Sequence, residues 1–539
     1  MPASPIATNP YQAFPSYPFV RPPELEGRRA IHPVVIAGGG PVGLTLAAGL
    51  SRHGVPVVVL HPSGSVSFGS RATCLSRRSL EIWERFGVAE KAVAMGLGWT
   101  RGRSFWREHL VLEFEMESMA GQKHPPMINL QQCYMEQFLV DELLRRDSVD
   151  LRWHSRVIAV DSRPDSVRLT VETPGGGYEI EADYVVACDG ARSFLRQALG
   201  LRMEGTSYEG RYLIADITLQ RNGPVERRAW FDPPSNPGST VLAHWQPGDI
   251  LRIDYQLRPE ENEEEELQEA RVRARIGAHL QMLGEKQDYH LLFSSLYRAH
   301  CLTLPEYRSG RIFFAGDAAH LVPIFGVRGL NSGIDDAANL AWKLARVLRG
   351  QAADPLLASY SEERVFAARE NIRQARKSTL FMTPPTRGHE CMRDAALSLA
   401  VSNELARHLV NPRQTTAVTF TSSPLQTPDT TAWIAGPVPG ATLPNLPLGD
   451  GHLLDHFGCE PVALLRAGDA PAESWLSEHA PASEFQTILL EDREAAASLG
   501  LDAPGSGYLC RPDGHVAARW RHFHPQNFIA ALDRSRGLT

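Results

Sequence analysis

The sequence is short of several features that define large classes of protein. Its seven cysteines are scattered and odd in number, and no two form a C-x-x-C pair. That pattern argues against a disulfide framework and a zinc site and for reduced thiols, so the cytoplasm is the expected compartment and no metal is expected. No apolar run approaches the length of a membrane span. The first thirty residues hold no basic region ahead of an apolar core, so no signal peptide is predicted. Positive charge is not in excess: 55 Lys and Arg stand against 62 Asp and Glu, a formal net charge of −7. Nothing there suggests a nucleic-acid footprint. Neither H-E-x-x-H nor G-x-S-x-G occurs, and a metal hydrolase or nucleophile triad has no support. What remains is an ordinary composition, 43% hydrophobic and 22% charged over 539 residues, enough for two or three domains.

The stretch that organises the chain is PVVIAGGGPVGLTLAAGLSRHGVPVVVL, residues 33–60. Val34–Ala37 reads as a buried strand, Gly38-Gly39-Gly40-Pro41-Val42-Gly43 fits G-x-G-x-x-G, a helical pattern follows, and Val55–Leu60 is a second strand. A glycine-rich hexapeptide alone is no more than a tight turn; the order strand, turn, helix, strand makes it a dinucleotide site. Gly38 permits the turn, Gly40 lets backbone N–H groups approach a pyrophosphate, and Gly43 lets the helix pack on the sheet. The pyrophosphate is expected on the helix N-terminus. The acidic residue that normally bonds a ribose hydroxyl falls at position 61, where the residue is His61. A neutral imidazole nitrogen can accept that hydrogen bond.

Along the rest of the chain, residues 1–32 mix Pro10, Pro15, Pro18, Pro22 and Pro23 with Tyr11, Phe14, Tyr17 and Phe19, and read as an arm packed on this subunit or a neighbour. Ser70-Arg71-Ala72-Thr73 precedes an amphipathic helix ended by Gly87, and Arg71 is placed to neutralise a cofactor phosphate. Residues 103–118 alternate like a strand pair, Gln131-Gln132 precedes a second helix, and 149–189 form consecutive strands ending in Cys188-Asp189-Gly190. Residues 206–300 are β-rich with one charged helical stretch. Ile312–Ala315 is a buried strand, Gly316-Asp317 a turn, and a long helix runs from about Gly333. Residues 411–450 look like a linker, after which strands and short helices restart, with a Pro-Asp-Gly hairpin at 512–514.

Three motifs in this order, the glycine fingerprint at 38–43, Asp189-Gly190 and Gly316-Asp317, resemble the class A flavoprotein aromatic hydroxylases, the group of p-hydroxybenzoate hydroxylase and phenol hydroxylase. The resemblance covers about residues 33–400, and the last block is similar to the thioredoxin-like C-terminal domain of the phenol hydroxylase and 3-(3-hydroxyphenyl)propionate hydroxylase branch. It implies an α/β fold: a Rossmann-like FAD-binding domain of the glutathione-reductase type, an inserted β-sheet substrate domain and a C-terminal thioredoxin-like domain. The implied division is an arm at 1–32, a first FAD-binding part at 33–205 with a sheet insertion near 103–130, a substrate domain at 206–300, a second FAD-binding part with helices at 301–410, a linker at 411–450 and the last domain at 451–539. Without C-x-x-C that last domain is expected to be structural.

With FAD as the cofactor, Gly38, Gly40, Pro41, Val42, Gly43 and His61 are expected to bind it, and the resemblance places Arg71 and Gln132 on the pyrophosphate side. Asp189 and Gly190 lie near FAD and the nicotinamide, Gly316 and Asp317 at a cofactor hydroxyl, and the loop Pro323–Asn331, including Gly329 and Leu330, against the isoalloxazine ring. Pro323 and the glycines at 326 and 329 leave room for the flat ring, and a helix from Ser332–Gly333 is expected to point its N–H groups at the flavin pyrimidine. Val327-Arg328 stands where many relatives carry Gly-Gln. Arg328 has three open roles: the reduced flavin, a substrate carboxylate, or solvent. No second glycine fingerprint exists, which suits NADPH or NADH docking transiently.

The implied reaction is reduction of FAD by NAD(P)H, O2 capture as a C4a-hydroperoxide, and oxygen transfer to a phenol or hydroxylated aromatic acid. A base or relay for the phenolic proton is expected, with His244, Asp254, Tyr255 and Tyr297 as candidates beside Pro323 of the ring loop. Arg252 can bind a carboxylate or pair with Asp254 on the same strand face. A homodimer is expected, with no nucleic acid or membrane partner. A heteroaromatic or polyketide-like phenol is an alternative substrate, and a non-catalytic FAD-binding module is the alternative of another class. A halogenase has no support, since W-x-W-x-I-P is absent.

Overall fold

Strand Ile31–Ala37 lies at the centre of an eight-stranded sheet, paired in parallel with Val57–Leu60 on one side and Gly176–Ala187 on the other. In this computed structural model, which describes residues 9–116, 121–410 and 414–538, the parallel core is completed by Val149–Arg152 and Ile312–Phe314. The apolar runs at 34–37, 57–60 and 185–187 are buried because helices cover the sheet. Helix Pro41–Arg52 packs against Arg328–Leu348 and Gln132–Leu143. An antiparallel ribbon, Arg156–Ser162 and Val167–Thr173, hangs on Gly176–Ala187.

A second eight-stranded sheet runs in the order His320–Leu321, His290–Thr303, Glu204–Thr218, Ile250–Leu257, Thr240–Gln246, Arg227–Phe231, Arg101–Trp106, His109–Glu115. Of the strands near 103–130, Arg101–Trp106 and His109–Glu115 are the far edge of this second sheet, joined to it by parallel pairing of Arg101–Trp106 with Arg227–Phe231, while Met127–Asn129 belongs to a separate three-stranded sheet with Cys74–Ser76 and Leu97–Trp99; residues 117–120 lie outside the described residues. Alternation gives this sheet two faces. Leu213, Ile253 and Tyr255 pack with Val272 and Ile276 of helix Glu269–Met282. The opposite face carries Tyr212, Asp216, His244, Arg252, Asp254 and Tyr297 and looks toward the first domain. The charged stretch is two helices, Glu263–Glu266 and Glu269–Met282.

After helices Pro355–Met382, Arg387–Ala400 and Glu404–Arg407 the chain crosses in irregular structure, of which 411–413 lie outside the described residues, to a four-stranded sheet. Its strands, in the order Gln486–Leu490, Val462–Arg466, Gly507–Cys510, Val516–Trp520, alternate with helices Ala470–Ser483, Arg493–Ser498 and Pro525–Ser535 in the thioredoxin-like pattern. The turn at 511–515 plugs this domain onto the first. Arg511 pairs with Glu363 and Asp513, Lys343 Nζ donates to Glu363 at 2.8 Å, and Trp342 Nε1 donates to Asp513 at 3.2 Å. Glu363 and Lys343 are fully enclosed, so removing any one partner would leave an uncompensated buried charge.

The N-terminal arm packs on its own chain; residues 1–8 lie outside the described residues. Tyr11 is buried and its hydroxyl donates to Asp216 at 2.8 Å. Tyr17 stacks on Trp153 with ring centroids 4.3 Å apart. All seven cysteines are free. Among the described residues no helix is long and apolar enough to cross a membrane.

Candidate functional site

The end of strand Ile31–Ala37 has no space for side chains where it turns. Gly38 has φ +115°, and a Cβ on it would stand 2.2 Å from the Cys188 carbonyl oxygen. A Cβ on Gly43 would stand 2.0 Å from the Gly38 oxygen. At Gly40 the space is open, with nothing within 4 Å. Gly40 is also the N-cap of helix Pro41–Arg52 and supplies no capping side chain, so the first-turn N–H groups face that opening. Pro41 at the first position fits because it has no N–H to satisfy. Val42 wedges the fingerprint against the far motif: its Cγ2 lies 2.5 Å from where a Cβ on Gly333 would stand.

Two carboxylates with unused oxygens border the same opening. Asp189 accepts from Leu195 N at 3.1 Å through Oδ2, while its buried Oδ1 has no partner. Burial pushes its carboxyl up against hydrogen bonds from Ser193 and Leu195 that lower it. Asp317, on the turn Gly316–Ala318, is exposed. Desolvation by the chain around it raises its carboxyl too, opposed by His320 and Arg196. The neighbouring Gly190 is in the left-handed region, φ +80°, with open space where a Cβ would be.

The Gly316 turn is held by residues that pattern reading missed. Asp336, on helix Arg328–Leu348, accepts from Gly316 N at 2.9 Å, His320 Nε2 at 2.7 Å and Arg364 Nε at 2.6 Å. A Gly-Asp turn followed about twenty residues later by a carboxylate on the inner helix face is the only sequence signal for it.

His61 follows strand Val57–Leu60, and its buried Nδ1 has no hydrogen-bond partner. Burial holds its pKa down to about 4, so the ring is neutral. Its edge meets Trp153 at 5.1 Å, which the arm's Tyr17 covers. Arg71 is exposed at the rim on a loop held from behind. Gln132 accepts from Ala72 N at 3.1 Å and donates to Glu136 at 2.8 Å, so it orients the loop that carries Arg71. Arg252 Nη1 donates to the Ser70 carbonyl, and to Arg71 O at 3.0 Å.

The ring loop departs from expectation at three points. The helix begins at Arg328, not near Ser332–Gly333, because Gly329 and Gly333 fit helical backbone and the break falls at Val327. Val327 caps it with φ +54°, a strained conformation for a β-branched residue. Asn331 is spent on the fold: it donates to Val327 O at 2.6 Å and Cys74 O at 3.1 Å and accepts from Ser76 N at 2.8 Å, leaving only its backbone for a cofactor. Arg328 does not point to solvent. It is buried and donates to Asn371 Oδ1 at 3.2 Å and Gln414 O at 3.1 Å, which makes it a strut to the following segments. Pro323 is buried in the loop, Gly329 and Leu330 are half-buried.

Of the four base candidates, Tyr255 is misplaced. It lies on the outer face, and its hydroxyl donates to Arg275 O at 3.3 Å. A one-residue step along a strand changes face, and composition alone did not say which face looked inward. Asp254 is on the inner face but pairs with Arg252 at 2.8 Å, both buried, so Arg252 is not available to a carboxylate. His244 Nε2 lies 3.3 Å from Thr73 Oγ1 and its Nδ1 is unpartnered. Burial and the arginines at 252 and 227 hold its pKa well below the usual range. Tyr297 donates to Val322 O at 3.3 Å, next to Pro323, and burial raises its pKa. Beside these, a narrow cavity of about 30 Å³ is lined by Arg227, Leu242, Phe325, Gly326 and Met382. A larger one, about 200 Å³, lies elsewhere, between Arg52, Glu81 and Arg85 and the C-terminal Leu454–Phe457.

These residues fit a dinucleotide with a polyhydroxyl chain: unpaired N–H groups for phosphate, spare carboxylate oxygens for hydroxyls, and a loop and sheet for a ring. The comparisons agree. A family model described as FAD binding domain matches residues 32–375. The chain is 32% identical over 367 residues to a 3-(3-hydroxy-phenyl)propionate/3-hydroxycinnamic acid hydroxylase of Mycolicibacterium gilvum (strain PYR-GCK), covering 68% of this chain and 63% of that one. It is 28% identical over 373 residues to the protein of the same name from Escherichia coli O8 (strain IAI1), covering 67% and 64%. The match thus spans less than two thirds of these relatives' own length. The flavin-dependent monooxygenase PieE, solved with FAD and substrate, superposes with a TM-score of 0.80 at 23% identity, over 95% of this chain and 100% of that one. Aklavinone-11 hydroxylase, solved with FAD and aklavinone, gives 0.76 at 21%, over 94% and 99%. At that identity the likeness establishes the shared fold.

Proposed function

The chain belongs to the FAD-binding-domain family, with FAD as its cofactor, and from that premise we propose that it is an NAD(P)H- and O2-dependent monooxygenase that hydroxylates a phenol or hydroxylated aromatic acid. The observation that carries the reading is the cavity between the loop at 323–331 and the inner face of the second sheet, lined by Arg227, Phe325, Leu242 and Met382, with His244 and Tyr297 elsewhere on that same face. A merely structural FAD site has no need of a second, aromatic-lined chamber beside the ring. The names of the curated relatives support the substrate class.

When bound, FAD supplies electron transfer from the nicotinamide and activation of O2. The chain's residues do the rest. The first-turn N–H groups of Pro41–Arg52 and Arg71 would hold the pyrophosphate, and Asp317 and Asp189 would accept from cofactor hydroxyls. The amides at the start of helix Arg328–Leu348 would stabilise negative charge on the bound flavin. Phe325, Met382 and Leu242 exclude water from the reacting ring. His244, neutral with an unpartnered Nδ1, is placed to relay the phenolic proton rather than to hold it, since burial and the arginines at 252 and 227 disfavour its imidazolium. Tyr297 fixes the Val322–Pro323 backbone.

The test is anaerobic reduction of the FAD-loaded protein by NADPH and by NADH across a panel of phenols and hydroxylated aromatic acids. A compound that speeds flavin bleaching by orders of magnitude is the expected result. A rate unmoved by every compound refutes the proposal.

A further inference from the structure

The inner face of the substrate sheet presents two arginines, and they differ in what they meet. Arg252 is committed to Asp254 and to the Ser70–Arg71 backbone. Arg227 stands across the strand pair from His244, and its nearest hydrogen-bond partner is the Gln414 Oε1, at 3.5 Å the limit of such a contact. Among the described residues no carboxylate lies within ion-pair distance of it. Its neighbours are otherwise provided for: Arg103 pairs with Glu113 at 2.7 Å, and Arg228, on the opposite face, with Glu226 at 2.6 Å. Burial lowers the Arg227 pKa, yet guanidinium stays charged at any physiological pH. The cavity it lines is otherwise largely apolar, formed by Phe231, Leu242, Phe325 and Met382. Arg227 is half-buried, and a guanidinium at the edge of an apolar cavity with no counter-charge is a ready partner for an anion.

We infer that Arg227 is the specificity-determining residue for an acidic substrate: it binds the carboxylate of a hydroxylated aromatic acid whose ring lies against Phe325, Leu242 and Met382. This rests on the hydroxylase reading and replaces Arg252 in the role its strand position suggested. Arg227 is planar and can engage a carboxylate through two parallel N–H bonds, with Gln414 holding one Nη1 hydrogen in register.

The experiment measures binding to the FAD-loaded protein through perturbation of flavin absorbance. The probes are hydroxylated benzoic, phenylacetic and phenylpropionic acids and their primary amides. Wild type is expected to bind at least one acid about 30-fold more tightly than its amide, the effect of one charged hydrogen-bonded contact. Arg227→Gln should bring that acid to within about threefold of the amide while amide affinity stays the same, and Arg227→Lys should keep part of the preference. Should Arg227→Gln fail to retain FAD, Arg227→Lys carries the test, with an expected loss of about fivefold in acid preference. An acid preference that survives these substitutions, a wild type indifferent to acid and amide, or no binding of any acid overturns the inference. Product analysis separates this from the reaction itself. Arg227-dependent acid binding without hydroxylation refutes the hydroxylase reading alone, and hydroxylation with equal use of acid and amide refutes the anchor alone.

Discussion

His320 Nε2 lies 2.7 Å from Asp336 Oδ2, and both side chains are fully enclosed. The same carboxylate receives the Gly316 N–H and Arg364, so one residue of helix Arg328–Leu348 fixes the turn that presents Asp317. Burial alone would raise the Asp336 carboxyl, but His320, Arg364 and the Gly316 amide outweigh it and hold it down at about 2.

Asp336→Asn should therefore destabilise the protein by about 3–5 kcal/mol, since Arg364 is left buried without its counter-charge. FAD content should fall with it. Wild type should also lose the Asp336 contribution in acid. A folded carboxyl below its unfolded value, roughly 3.9, stabilises above that pH and stops doing so as pH falls toward 2. Urea unfolding followed by flavin release checks both; an Asn variant as stable as wild type contradicts the account.

A second pH effect has the same sign and a higher midpoint. Burial holds His61 and His279 down at about 4 and His53 at about 3, and keeps His244 well below its usual range. These rings stay neutral when folded, whereas the unfolded chain protonates them below about pH 6.5. The unfolded state then binds more protons, so stability rises with pH up to about 6.5 and is lost as pH falls through 6 and 5. Urea midpoints measured at half-unit steps should drop across that window. Flat midpoints between pH 5 and 7 would contradict the burial of these rings.

The glycine turn makes a contrast testable by flavin content. Gly38→Ala and Gly43→Ala place a Cβ about 2 Å from a carbonyl oxygen and should abolish FAD retention and lower stability by several kcal/mol. Gly40→Ala meets open space, so the fold should stand while FAD binds more weakly, because the methyl occupies the approach of the phosphate. Equal behaviour of Gly38→Ala and Gly40→Ala in thermal melts would refute the distinction.

The two sheet tyrosines should also part. Tyr255→Phe removes one hydrogen bond on the outer face and should cost about 1 kcal/mol of stability with kcat unchanged. Tyr297→Phe frees the Val322 carbonyl behind Pro323 and should lower kcat about tenfold while the FAD dissociation constant holds. Steady-state kinetics on both variants decides; a kinetic defect in Tyr255→Phe would place the substrate on the wrong face of the sheet.

How far the sequence reveals this arrangement depends on the kind of signal. Local patterns carry the strand, turn and helix of 31–52, the Asp-Gly and Gly-Asp turns and the thioredoxin-like block, because each is a short-range matter of backbone freedom and burial. The face of a strand is not local: Asp254 and Tyr255 are adjacent, yet one looks at the site and the other at helix Glu269–Met282. Partnering is less local still. The i, i+2 spacing already offered Asp254 to Arg252, whereas only the fold shows that, among the described residues, Arg227 has no carboxylate within ion-pair distance. Asn331 and Arg328 sit in the ring loop but turn their side chains to Cys74 and Asn371, which a linear reading cannot see.

The central claim is that this chain inserts one oxygen atom from O2 into an aromatic substrate. The direct measurement is mass spectrometry of the product formed by the FAD-loaded protein with reduced nicotinamide and a hydroxylated aromatic acid under 18O-labelled O2 in ordinary water. The account predicts a product heavier by a single labelled oxygen, with formation slowed in Arg227→Gln. Reduced nicotinamide consumed with no labelled product, or label entering only from water, would contradict it.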